Sequence, residues 1–146
     1  MRQSSLTFSI NMAPRGKDRP RFARTNSGNV RTYNTRKTQY AEQMIRAAWN
    51  DAGAITLNNG PVELTIIAYL QRPKNHFRAS GQLSAAGERS EHPTKKPDAS
   101  NIAKLVEDAL NKCAWEDDSQ VVDLIVKKRW AFYGQPPHIK VVANNI

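Results

Sequence analysis

The chain has 146 residues, and 22 lysines and arginines against 13 aspartates and glutamates give it a formal net charge of +9. A chain of this length is expected to form a single domain, residues 1–146, with its own hydrophobic core. The single cysteine, Cys113, excludes an intramolecular disulfide and a Cys-x-x-Cys zinc site, which suits a reducing cytoplasm. No apolar run approaches the roughly 20 residues that span a bilayer, so we expect no membrane partner.

Alternating apolar residues predict four strands, and two stretches with helical spacing predict two helices. The strands are expected at about 6–12, 62–70, 122–130 and 139–142, and the helices from a Thr35 or Thr38 cap to about Gly53 and over the stripe from Ile102 to Cys113. The order β-α-β-loop-α-β-β indicates an α/β (α+β) fold, a mixed four-stranded sheet with two packed helices. We expect the last two strands to be antiparallel partners that join directly.

Positive charge is concentrated in two segments that are rich in Gly, Ser, Asn and Pro, which favours a nucleic-acid partner. Residues 71–97 also lack any periodicity, and we expect a flexible basic loop that contacts substrate phosphates. The alternative is an insertion without a role. The DNA-binding candidates in the two segments are Arg19, Arg21, Lys74, Arg78, Lys95 and Lys96.

Polar and acidic residues flank the second predicted helix. They are Asp98 and Ser100 before it, Asn101, Lys104 and Asp108 along one flank, and Asp117 and Asp118 after it. Two carboxylates about 4 Å apart repel by roughly 4 kcal/mol at an effective dielectric constant near 20, and a bound cation removes that repulsion. Oxygen ligands on a phosphate-binding protein suit a hard cation, Mg²⁺ or alternatively Mn²⁺. Spacing alone leaves open a second interpretation, two unrelated solvated patches with Asp98 or Ser100 as a helix N-cap.

Several motifs resemble the RusA-type Holliday junction resolvases of bacteria and their phages. The family pattern is Asp-x-Asp-Asn, a Lys three residues after that Asn, then Asp-Ala-Leu and Asp-Asp-x-Gln. The matching stretches here are Lys96–Lys104, Asp108–Asn111 and Asp117–Val122, with Arg19-Pro20-Arg21 and Tyr33 upstream. The resemblance extends from about Arg19 to Val142 and is most specific between Lys96 and Val122.

The resemblance implies a homodimeric, Mg²⁺-dependent endodeoxyribonuclease, encoded by a bacterium, phage or prophage. Such an enzyme binds four-way DNA junctions and cuts two opposing strands during recombination and repair. Carried over by position, the catalytic residues are Asp98, Lys104 and Asp118, the metal ligands are Asp98 and Asp118 with Asp117 and Ser100 as further candidates, and the supporting residues are Asn101 and Asp108.

Ser100 departs from the family pattern, because it stands where the pattern has its second Asp. Two interpretations of the site stay open: Ser100 caps the helix while Asp117 completes the site, or the site uses one metal only. Loss of the carboxylate also leaves a junction-binding protein with lost or weak catalysis as an alternative. A separate alternative is a nuclease of broader specificity for branched DNA.

Overall fold

The computed structural model describes residues 2–146, in which eight strands and three α-helices surround one hydrophobic core. The strands are β1 (Arg2–Gln3), β2 (Ser5–Ile10), β3 (Arg21–Arg24), β4 (Val30–Tyr33), β5 (Thr56–Leu57), β6 (Val62–Leu70), β7 (Val121–Trp130) and β8 (His138–Asn145). The helices are α1 (Arg36–Asp51), α2 (Ala85–Arg89) and α3 (Ala99–Leu110). The predicted class, an α+β fold with a mixed four-stranded sheet, is confirmed.

The main sheet has the strand order β2-β8-β6-β7, with β6 and β7 parallel and the other two pairings antiparallel. The expected direct pairing of the last two strands is wrong, because β6 lies between β7 and β8. Parallel neighbours need a crossover connection, and the chain between β6 and β7 includes α3. Because β7 pairs with one side of β6, β8 pairs with the other side. The strand β7 therefore lies at the edge of the sheet.

Alternation along the strands puts apolar side chains on one face of the sheet, where α1 and α3 cover them. In β2, for example, Leu6, Phe8 and Ile10 are buried while the intervening residues are exposed. The helix α1 begins after Thr35, whose side chain accepts a hydrogen bond from the Thr38 amide. Helix packing and strand burial therefore agree on a two-layer arrangement.

The helix α3 buries the predicted stripe from Ile102 to Leu110, but it ends earlier than expected. Asn111 is its C-cap and Lys112 has a φ of 65°, so Cys113 lies in the turn beyond the helix. A residue with positive φ cannot continue a right-handed helix. This turn leads the chain to Asp118.

Segment 71–97 is not devoid of regular structure. It contains a 3₁₀ turn at Lys74–His76 and the short helix α2. The Arg72 guanidinium donates to the carbonyls of Gly87 and Ser90 at 3.0 and 3.1 Å, so one arginine closes the segment on itself. The first basic segment likewise contains a hairpin, β3 with β4, which the sequence did not predict.

Helices in the described part of the chain are all too short or too polar to cross a membrane.

Candidate active site

One flank of α3 carries the polar side chains that face a small cavity. Ser100, Lys104 and Glu107 are spaced i, i+4 and i+7, which places them above one another on the helix surface. With Asp108, Asp118 and Leu124 they line a cavity of about 380 Å³, here called the acidic cavity. The structure therefore brings together four of the predicted site residues: Ser100, Lys104, Asp108 and Asp118.

Two carboxyl groups of the acidic cavity, those of Glu107 and Asp118, have raised pKa values. Burial raises the pKa of Glu107, and the charges of Asp118 and Asp108 raise it further. Burial also raises the pKa of Asp118, with Asp108 and Asp117 acting in the same direction. Lys104 opposes both shifts, so its ammonium lies within electrostatic reach of the two acids. A cation bound among these groups would relieve the repulsion.

Asp118 is fixed by the turn that follows α3. The indole nitrogen of Trp115 donates to its Oδ1 at 2.7 Å, and the Trp115 side chain is fully buried. The Asp118 amide donates to the Asn111 side chain at 3.2 Å. A rigid aromatic donor thus determines where this carboxylate points.

Asp117 directly precedes Asp118 in the chain, but its side chain has different hydrogen-bond partners. It is the N-cap of a 3₁₀ turn at Asp118–Gln120, and it accepts hydrogen bonds from the amide and hydroxyl of Ser119. These hydrogen bonds lower the pKa of Asp117, and Lys112 lies 3.7 Å from it. Asp117 does not line the acidic cavity, so in the described chain it stabilises the turn that presents Asp118.

Asp98 lies at the other end of α3. It is the N-cap residue, and its carbonyl accepts the Ile102 amide at 3.1 Å. It lines a second cavity of about 520 Å³ between residues 14–19 and the start of α3, here called the loop cavity. Asn101, Arg19 and Lys96 line this cavity too. Asp98 and Asp118 thus line different cavities, and their sharing of one ion stays a prediction.

Lys17 connects the two cavities. It lines the loop cavity, and its ammonium forms an ion pair with Asp108 of the acidic cavity. Its amide also donates to the Asn101 carbonyl at 3.2 Å. Gly16 permits this approach, because a Cβ there would lie 2.8 Å from the Cβ of Asn101. The loop and the helix are therefore joined at the point where the cavities adjoin.

The predicted DNA-binding residues are exposed on the surface but are not gathered at one place. Arg19 and Lys96 line the loop cavity, and Arg21 lies on β3 beside α1. Lys74, Arg78 and Lys95 belong to segment 71–97 and line neither the acidic nor the loop cavity.

Sequence reasoning missed three residues of this region. Glu107 could have been found from its helical spacing to Ser100 and Lys104. The contacts of Lys17 with Asp108 and of Trp115 with Asp118 had no such signal, because they depend on how the loop and the turn fold.

The donor set suits a hard cation that keeps part of its hydration shell. Among residues 2–146, no three Asp, Glu, His or Cys side chains converge closely enough to hold an ion by themselves. Mg²⁺ usually keeps several waters and is bound by one or two carboxylates together with substrate phosphates. Asp118 and Glu107 line the same cavity, and the charge of Asp118 helps to raise the pKa of Glu107, so these two residues are the candidates for such a pair.

Comparison with known proteins adds two similarities. The family described as "Endodeoxyribonuclease RusA" matches residues 11–143, which include both cavities. A protein of Bacillus subtilis (strain 168) with the name "Uncharacterized protein YqaN" is 32% identical over 141 residues, covering 97% of this chain and 96% of the relative.

Proposed function

Because the chain belongs to the RusA endodeoxyribonuclease family, we propose that it binds four-way DNA junctions and hydrolyses phosphodiester bonds in them with Mg²⁺, in recombination or repair. Nucleases of this family are generally divalent-metal dependent, and the family occurs in bacteria and phages. The observation that carries the proposal is the acidic cavity itself. The net charge of +9 attracts DNA to the protein, whereas the crowded carboxylates of the acidic cavity would repel its phosphates unless a cation stood between them.

Each residue of the site has a proposed part. Asp118 and Glu107 would hold the ion, and Ser100 would add a hydroxyl at the rim of the same cavity. The bound ion would polarise the phosphate and lower the pKa of a coordinated water. Lys104 would balance the charge that builds on the phosphate, and Arg19 and Lys96 would hold the DNA backbone beside Asp98.

The direct test is cleavage of a labelled synthetic four-way junction by the purified protein with Mg²⁺. Symmetric nicks in two opposing strands would support the proposal. Binding without nicking would instead favour the non-catalytic alternative, for which the specific observation is the hydroxyl of Ser100 in place of a family carboxylate. Competition with linear duplex at raised salt separates a junction resolvase from a nuclease of broader specificity, because general phosphate binding weakens steeply with salt.

Mg²⁺ alone should stabilise the protein. At one hundred times its Kd a ligand stabilises the folded state by about 2.7 kcal/mol, roughly 5–10 °C in Tm for a domain of this size. We expect this increase in wild type, and we expect it to be lost in Asp118→Asn, as measured by differential scanning fluorimetry without DNA.

Glu107→Gln gives the complementary measurement. Because the pKa of Glu107 is raised in the folded chain, the folded state binds the proton more tightly than the unfolded state, and stability is lost as the pH rises above the unfolded pKa. At neutral pH the variant should therefore melt above wild type in EDTA but gain less from Mg²⁺. The control is Glu88→Gln, an exposed acid on α2. Equal Mg²⁺ shifts in all four proteins would remove Glu107 and Asp118 from the metal site.

Lys104→Ala should cleave the junction about 10²-fold more slowly and bind it almost normally, because a single exposed lysine adds little to binding but balances charge at the reacting phosphate. Gel-based cleavage and anisotropy binding measure the two effects. Lys37→Ala, which removes an exposed lysine of α1 that does not line the acidic cavity, is the matched control. If Lys104→Ala loses its far-ultraviolet circular dichroism spectrum, the lysine has a structural role instead.

We also propose a homodimer. A junction presents two equivalent strands, and one protomer with one acidic cavity reaches only one of them at a time, so a two-fold pair is the economical arrangement. Sedimentation equilibrium at micromolar concentration tests this, and a monomer there would contradict it.

A further inference from the structure

The four-stranded sheet has a second face that differs from the helix-covered one. Side chains that alternate with the buried residues remain half-buried or exposed there. Register places the pairs Ile67 with Lys127 and Tyr69 with Arg129 on this face, and it places Lys140 beside Ile67. We call this surface, formed by Ile67, Tyr69, Ile125, Lys127, Arg129 and Lys140, the open sheet face. It is partly apolar and is basic towards the carboxyl ends of β6 and β7, whereas the pair Glu63 and Asp123 makes its opposite end acidic.

At the carboxyl ends of β6 and β7 the open sheet face leads into the largest cavity described here, about 550 Å³. The rings of Tyr69, Phe77, Trp130, Phe132 and Tyr133 line it, so we call it the aromatic cavity. Phe132 is 76% exposed and Tyr133 is 66% exposed, so both rings are accessible to a ligand.

Packing holds two rings of the aromatic cavity, those of Tyr133 and Tyr69, in place. The Tyr133 ring meets Phe77 edge-on at a centroid distance of 5.0 Å. It also lies against Gly81, where a Cβ would come within 2.9 Å of the tyrosine ring. On the other side of the cavity, the His138 ring stacks on Tyr69 at 4.4 Å. The cavity therefore presents aromatic surfaces beside two cationic side chains, Arg72 and Arg129, and one acid, Glu91.

We propose that the open sheet face and the aromatic cavity bind single-stranded DNA. Bases would stack on Phe132 and Tyr133 while Lys127 and Arg129 contact the phosphates. Basic grooves with stacking rings bind single strands, because every unpaired base offers a flat face to a ring. A duplex is a poorer ligand for the rings, since its bases are already stacked on one another. The inference deepens the proposed function, on which it rests for DNA as the ligand.

The distance between this surface and the acidic cavity indicates which DNA substrates the protein would prefer. Leu124 lines the acidic cavity and Trp130 lines the aromatic cavity, both on β7. Six residues of extended chain separate them by about 20 Å. An unpaired strand bound here would be held clear of the carboxylates, so we infer that the preferred substrates contain an unpaired segment next to the branch.

The test measures binding of a fluorescent oligothymidylate by anisotropy in EDTA, with wild type, Tyr133→Ala and Arg129→Gln. Loss of one stacking partner should weaken binding about 5- to 100-fold. Tyr40→Ala is the matched control, because Tyr40 lies on α1 with the same 66% exposure. An oligomer of abasic deoxyribose phosphates has no bases to stack on the rings, so wild type should bind it more weakly than oligothymidylate. Wild type and Tyr133→Ala should bind this abasic oligomer with equal affinity.

Two results would overturn the inference. One is equal affinity of wild type and Tyr133→Ala for oligothymidylate, with Phe132→Ala also unchanged. The other is a shift from dimer to monomer in these variants at unchanged oligonucleotide affinity, which would assign the surface to a second copy of the chain. Failure of the proposed function would look different, as absent junction cleavage with Mg²⁺ while oligothymidylate binding and its dependence on Tyr133 persist.

Discussion

Asp118→Asn is expected to reduce junction cleavage by about 10³-fold or more while leaving junction binding intact. The carboxylate lies in the acidic cavity, its pKa is raised by burial and by neighbouring acids, and the asparagine amide cannot supply the negative charge that holds a cation. Junction binding in EDTA should survive or tighten, because one negative charge is removed from a surface that faces phosphates. Single-turnover cleavage with Mg²⁺ and anisotropy in EDTA measure the two quantities separately.

Two variants sharpen this experiment. Glu116→Gln removes an exposed acid two residues away and should cleave like wild type. Asp98→Asn asks whether the acid of the loop cavity belongs to the same reaction. A loss as large as that of Asp118→Asn would support a shared ion. Cleavage retained by both aspartate variants would exclude these carboxylates from the mechanism.

Of the substitutions considered, truncation of Trp115 should lower the free energy of unfolding the most. Its side chain is fully buried among core residues, and truncation of a buried tryptophan to alanine costs about 3–5 kcal/mol. Trp115→Ala should therefore unfold at a much lower urea concentration than wild type. Trp115→Phe keeps most of the packing but loses the indole donor to Asp118, so it should remain folded and cleave more slowly.

Trp49→Phe is the matched control for Trp115→Phe. The Trp49 indole also donates a hydrogen bond, to the Ile55 carbonyl at 2.8 Å, but neither residue lines the acidic cavity. Both phenylalanine variants should lose some stability, and only the Trp115 variant should lose cleavage at saturating Mg²⁺. Equal cleavage rates would show that Trp115 acts through packing alone.

Local pattern predicted the four strands of the main sheet and the helices α1 and α3, because each pattern has a local cause, but it predicted neither α2 nor the hairpin of β3 and β4. The stripe from Ile102 to Leu110 is buried as expected, and Thr35 caps α1. Neighbours in the sheet were not predictable in the same way. Alternation tells which side chains of β8 are buried, but it carries no information on whether β8 pairs with β7 or with β6.

The same distinction holds at the acidic cavity. Helical spacing placed Lys104 and Asp108 on one flank of α3, and the structure finds them lining one cavity with Ser100. Spacing could not decide whether Asp98 faces Asp118, because the two residues are separated by the helix and by the turn at Lys112. The ion pair of Lys17 with Asp108 joins residues 91 positions apart, and the polar residues of the loop give no sign of it.

The strand order has a consequence for synthesis. β2 and β6 do not touch each other in the sheet, and β8 lies between them with hydrogen bonds to both. A ribosome makes β8 after every other strand, so a nascent chain cannot close this sheet until His138–Asn145 have left the exit tunnel. Until then β2 lacks the strand with which it pairs along its whole length.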